Sequence, residues 1–129
     1  MDHGKPNVLI VDDNEAQRIA LAAALADLEV TVIQASSGRE ALRTLLHQEV
    51  AVILLDINMP GLDGFETAAL IRERRRSQHT PIIFVTAFSD DAHAARGYSL
   101  GAVDFILSPV PPNVLRSKVS VFIDLYRKT

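Results

Sequence analysis

The 129-residue chain has no cysteine and no tryptophan, few aromatic residues, and only three lysines, Lys5, Lys118 and Lys128. Without cysteine, a disulfide framework, a thiol nucleophile and a thiolate metal site are all excluded. Long hydrophobic runs are missing too. The longest, "IALAAALA" (19–26) and "VAVILL" (50–55), fall far short of the roughly 18 residues a membrane helix needs. The start, "MDHGKPN", lacks the apolar stretch of a secretory signal. These absences predict a soluble, cytoplasmic protein with no membrane partner. The net charge of −3 offers no basic excess for a nucleic-acid partner. The four histidines (His3, His47, His79, His93) sit at no spacing that would clamp a metal. No G-x-G-x-x-G and no Walker loop is present, which disfavours nucleotide binding.

What remains is ordinary globular composition, at a length that suits one domain with a real core. Five short runs rich in Val and Ile recur: "VLIV" (8–11), "VTVI" (30–33), "VAVILL" (50–55), "IIFV" (82–85) and "DFIL" (104–107). Several are apolar at every position, the mark of strands covered on both faces. Helical patterns lie between them. Asn14 with Gln17, and Ser37 with Glu40, read as capping boxes. Leu21, Leu25 and Leu28 form an apolar stripe after the first. "GFETAALIRERRR" has helical spacing, "SDDAHAARGYSLG" opens on cap-type residues and stops at Gly101, and Pro111 or Pro112 can start a last helix over 113–127. Strict strand–helix alternation with short connections predicts an α/β, doubly wound parallel sheet with helices on both faces.

Ligands bind such sheets at the carboxyl ends of the strands. There the chain places Asp12 and Asp13 after the first run, Asp56 after the third, Thr86 and Ala87 after the fourth, and Ser108 with Pro109 after the fifth. Three converging carboxylates repel one another and call for a cation. Hard oxygen donors with few carboxylates suit Mg²⁺ better than an all-protein Ca²⁺ cage. The plainer alternative makes the three aspartates turn residues and helix caps. "DINMPGLDG" has the look of a calcium loop, but Pro60 falls where an oxygen ligand belongs and Thr67 where a bidentate Glu belongs.

Four motifs, "LIVDDN" (9–14), "LLDINMPGLDG" (54–64), "VTA" (85–87) and "GAVDFILSP" (101–109), together resemble the response-regulator receiver (CheY-like) domain of two-component signalling. The resemblance spans nearly the whole chain and implies one receiver domain over 1–129. It implies a flavodoxin-like (βα)5 fold with strand order 2-1-3-4-5. It makes Asp56 the acceptor of a phosphoryl group from a histidine kinase or phosphotransfer protein. Mg²⁺ would be held by Asp13, Asp56 and the backbone carbonyl of Asn58, with Asp12 assisting. Thr86, followed by Ala87, matches the hydroxyl that meets the phosphoryl oxygens, and Phe105 the aromatic whose rotamer follows it. Such a domain is a phosphoacceptor and not an enzyme.

The family has a lysine where this chain has Ser108, before a proline whose peptide bond is typically cis, here Ser108–Pro109. The three lysines lie away from the site, and the first helix is expected to lead Arg18 away too, so the departure reads as uncompensated. It points to weaker phosphorylation or, as the alternative function, to a pseudo-receiver that works as an interaction module. A phosphatase of similar topology is a weaker third reading, since its signature needs Asp where Asn58 stands.

The last helix shows two apolar stripes, Leu115/Val119/Phe122/Tyr126 and Val114/Val121/Leu125. One covers the sheet; the other suggests a homodimer or partner face formed with the preceding helix and strand. The ending "FIDLYRKT" resembles receivers that this helix joins to a sensor or kinase module. The basic run "RERRR" (72–76) reads as a solvated helix end that complements the helix dipole.

Overall fold

The computed structural model describes residues 4–87 and 91–128. Five strands alternate with five helices: β1 (Asn7–Val11), α1 (Glu15–Ala24), β2 (Thr31–Ala35), α2 (Gly38–His47), β3 (Val52–Asp56), α3 (Gly64–Glu73), β4 (Ile82–Thr86), α4 (Asp91–Ser99), β5 (Asp104–Leu107) and α5 (Pro112–Arg127). All pairings are parallel, and the sheet order is β2-β1-β3-β4-β5. The doubly wound α/β expectation and its 2-1-3-4-5 order therefore hold.

Alternation along each strand divides the core in two. On β1 and β3, Leu9, Val11, Ile53 and Leu55 face one cluster, closed by Leu42 and Leu45 of α2 and Phe65, Ala68 and Ile71 of α3. Val8, Ile10, Val52 and Leu54 face the other, closed by Leu21 and Leu25 with Leu115, Val119 and Ile123 of α5. The central strands are apolar throughout because both of their faces are covered. Edge strand β2 is buried only at Ala35.

Several local expectations need correction. Helix α1 stops at Ala24, with Leu25 as its C-cap, so Leu28 packs from beyond the helix. The last helix opens one residue early, at Pro112, which can occupy its first turn because no N–H is needed there. Its buried stripe is Leu115, Val119 and Ile123, while Tyr126 stays exposed. The "RERRR" run is a solvated end only in part, with Glu73, Arg75 and Arg76 exposed. Arg72 donates to four backbone carbonyls, and Arg74 and Arg76 reach the carbonyls of Leu42 and Leu46 on α2. The cap-type residues Ser89 and Asp90 before α4 lie outside the described residues. No helix among the described residues is long and apolar enough to cross a membrane.

Candidate functional site

The chain must leave each strand at the carboxyl edge of the sheet, and the ends of four strands there build a cleft of about 320 Å³. Asp12, Asp13 and Asn14 come from the β1–α1 turn, Asp56 from the last position of β3, Asn58 from the loop after it, and Thr86 from the end of β4. Ala87 and Ser108 also line it. Helix α3 packs tightly behind the β3 loop. A Cβ on Gly64 would stand 2.2 Å from the Asp56 carbonyl oxygen, so only glycine fits. Asp63 caps α3 through a capping box with Glu66, which fixes where that loop ends.

Asp12, Asp13 and Asp56 each offer a carboxylate oxygen, and these oxygens lie within 4.8 Å of one another. Asp12 is buried, Asp56 partly so, and Asp13 exposed. Burial, and then the charge of Asp12, push the Asp56 carboxyl up to about 6, against the pull of the Asn58 backbone amide. Asp12 is also raised, chiefly by burial, although the Asn14 amide donates to its Oδ1 at 2.9 Å. Crowded hard oxygens that resist ionising together fit a small divalent cation. Asp12, Asp13 and Asp56 are the side chains placed to hold it, and Asn58 lines the same cleft.

Thr86 is buried at the cleft wall, and its carbonyl accepts the Ser108 backbone amide at 2.8 Å. The Ser108–Pro109 peptide bond is cis. Phe105 lies one layer below, half-buried, in contact with Phe84 and Tyr98. None of the described residues lining the cleft is a lysine or arginine. Lys118 is instead paired with Asp104 on β5.

Arg18 stays out of the cleft lining, as expected, although its Nη1 donates to the Asp12 backbone carbonyl at 2.7 Å and its charge favours the ionised Asp12. Gln17 was read as half of a capping box. Its backbone N–H does donate to Asn14 Oδ1, but its side chain turns into the cleft and donates to Ser108 Oγ at 3.2 Å. The one available signal was position: residue 17 follows the cap by a single helical turn, on the cleft side.

Parallel α/β topology with this acidic edge defines a class of signalling domain, and the comparisons agree. The pattern of the response regulator receiver domain matches residues 8–120. The chain belongs to that family. It is 37% identical over 114 residues to the transcriptional regulatory protein AfsQ1 of Streptomyces coelicolor, covering 88% of this chain and 49% of that protein. It spans about half the length of the curated relatives it matches. Among solved structures, the chemotaxis protein CheY4 of Vibrio cholerae superposes with a TM-score of 0.87 at 29% identity, over 92% of this chain and 99% of that one. The receiver domain of a signal transduction histidine kinase from Syntrophus aciditrophicus gives 0.86 at 29% identity, over 96% and 94%.

Proposed function

We propose that this receiver domain accepts a phosphoryl group on Asp56 from a histidine kinase or phosphotransfer protein. The observation that carries the reading is the meeting of three aspartate carboxylates, within 4.8 Å, in one cleft with Thr86. Asp56 attacks phosphorus through a carboxylate oxygen while the bond to the donor nitrogen breaks, leaving an aspartyl phosphate. A carboxylate approaches a phosphoryl group only if positive charge offsets the repulsion, and Mg²⁺ held by Asp12, Asp13, Asp56 and the Asn58 carbonyl would supply it. Thr86 can donate its hydroxyl to the new phosphoryl oxygens, with Ala87 leaving room beside it. Phe105 is packed to follow a shift of that wall. The cysteine-free composition fits a cytoplasmic setting for the exchange.

Residues 1–129 form one receiver unit in this reading, with any output module carried by a partner or by a longer chain. Its state would be read on α4, β5 and α5. There Tyr98, Leu107, Val121 and Leu125 are each more than half exposed, which supports reading this face as a homodimer or partner contact.

The test is to incubate the domain with Mg²⁺ and acetyl phosphate, and separately with beryllofluoride, while following intact mass and spectral shifts at Thr86 and Phe105. Labelling that disappears in Asp56→Asn supports the assignment. Absence of labelling while Mg²⁺ still binds favours the interaction-module alternative.

A further inference from the structure

The site meets a phosphoryl group's outer oxygens without a lysine, and the structure contains something else in that place. Ser108 extends into the cleft from the end of β5, and Gln17 reaches it from α1, a contact between residues 91 positions apart in sequence. The bond joins side chains that are both partly buried, on elements whose backbones are independently fixed. Gln17 is held by the Asn14 cap, and Ser108 by its backbone bond to Thr86.

The direction of the bond matters. A serine hydroxyl has one proton to give and two lone pairs to receive with. Here the Gln17 amide donates, so a lone pair of Ser108 is used and its single proton stays available. That proton is available to the cleft, which Asp56 also lines. An oxygen that accepts one hydrogen bond also becomes a better donor through its own proton. The capping role predicted for the Gln17 side chain is not performed, because the Asn14 backbone N–H bonds Asp12 instead. Cationic replacements are engaged elsewhere: Arg18 at the Asp12 carbonyl and Gln34, and Lys118 at Asp104.

We infer that Gln17 and Ser108 form a neutral donor pair for the outer oxygens of the phosphoryl group, with Ser108 making the contact and Gln17 positioning its hydroxyl. The inference rests on Asp56 being the acceptor. It assigns Gln17 a role that runs only through Ser108, so its loss should be felt only while Ser108 is present.

Beryllofluoride binding in the presence of Mg²⁺ tests this, because it measures occupancy of the phosphoryl position without turnover. Ser108→Ala and Gln17→Leu should each weaken binding by about five- to tenfold, the value of one neutral hydrogen bond. The double variant should be no weaker than Ser108→Ala alone. Mg²⁺ affinity should stay the same in all three, which a general loosening of the site would not allow. In a Ser108→Lys background, Gln17→Leu should have no effect. Gln17→Lys, one bond longer, should tighten binding by bringing an ammonium to the same place. Unchanged affinity in Gln17→Leu, or losses that multiply in the double variant, would overturn the pair while leaving Asp56 as the acceptor. If the unmodified domain binds Mg²⁺ but no beryllofluoride, the acceptor reading and the pair fall together.

Discussion

Gly97 of α4 lies so close to the ring of Phe105 that an added Cβ would stand 2.4 Å from its Cζ, and 3.1 Å from Phe84. The helix can press onto β5 only because residue 97 has no side chain. Gly97→Ala would gain up to about 1 kcal/mol of helix propensity, but overpacking costs about 1–3 kcal/mol. The expected result is net destabilisation in chemical denaturation, with displaced Phe105 ring resonances. A stabilised variant with unmoved resonances would contradict the packing described.

Metal-free stability should depend on pH through Asp56. Its folded-state value is raised from 3.8 to about 6, so the folded protein holds the proton more tightly than the unfolded chain does. The resulting stability is fully present below about pH 4 and is lost as pH rises to about 6. Linkage limits the effect to about 3 kcal/mol, and solvent screening of a partly exposed carboxyl reduces it to roughly 1–2 kcal/mol. Asp56→Asn should therefore be more stable than the unmodified domain at pH 7 without metal. Thermal melts between pH 4 and 7 check the slope.

Millimolar Mg²⁺ should raise the melting temperature of the unmodified domain at pH 7 by mass action. Asp13→Asn should lose most of that gain, because Asp13 is the exposed member of the cluster and one of the three carboxylates placed to hold the ion. Equal gains in both proteins would remove Asp13 from the ligand set.

Arg72 should be costly to replace. Its guanidinium is bonded to the carbonyls of Leu100 (2.9 Å), Ser77 (3.3 Å), Thr80 (2.7 Å) and Gly101 (3.0 Å). Lysine lacks the planar fork that spans such a set. Arg72→Lys should destabilise by about 1–3 kcal/mol, through carbonyls left without a donor. Urea denaturation would show this as a lower midpoint with an unchanged slope.

Ser108→Lys should label faster with acetyl phosphate. A charge-assisted contact exceeds a neutral one by about 1 kcal/mol or more, which corresponds to at least a severalfold gain in rate. An unchanged rate would show that the missing charge at position 108 is not what limits the reaction.

The strands and the acidic edge were readable in the sequence because burial on both faces leaves unbroken apolar runs, and the residues ending those runs must surround the cleft. Asp12, Asp13, Asp56, Thr86 and Ser108 follow from that rule alone. Gln17 and the arginine run were misread for a common reason. Their side chains are long, and each has a local use that satisfies a pattern: Gln17 as a cap partner, Arg72, Arg74 and Arg76 as a helix end. Most of their actual partners lie across the fold, just past β5, on α2 and after α4, with Ser77 and Thr80 nearer by. Only the packed arrangement of the elements brings those partners within reach, and no spacing encodes it.

The rings are unevenly distributed. Phe65, Phe84, Phe105 and Tyr98 touch in series on the α3–α4 side of the sheet, with Arg96 over Phe65 at 4.5 Å. The α1–α5 side is filled almost wholly by branched aliphatic side chains. Flat rings can pivot about a bond with little change in the volume they sweep, whereas interlocked Val, Leu and Ile side chains cannot move singly. A displacement of the Thr86 wall thus has a compliant path on one side and a stiff backing on the other. In the proposed reading, α4 and β5 are then the changing part of the α4–β5–α5 surface, and α5 is the rigid part against which a partner would register the change.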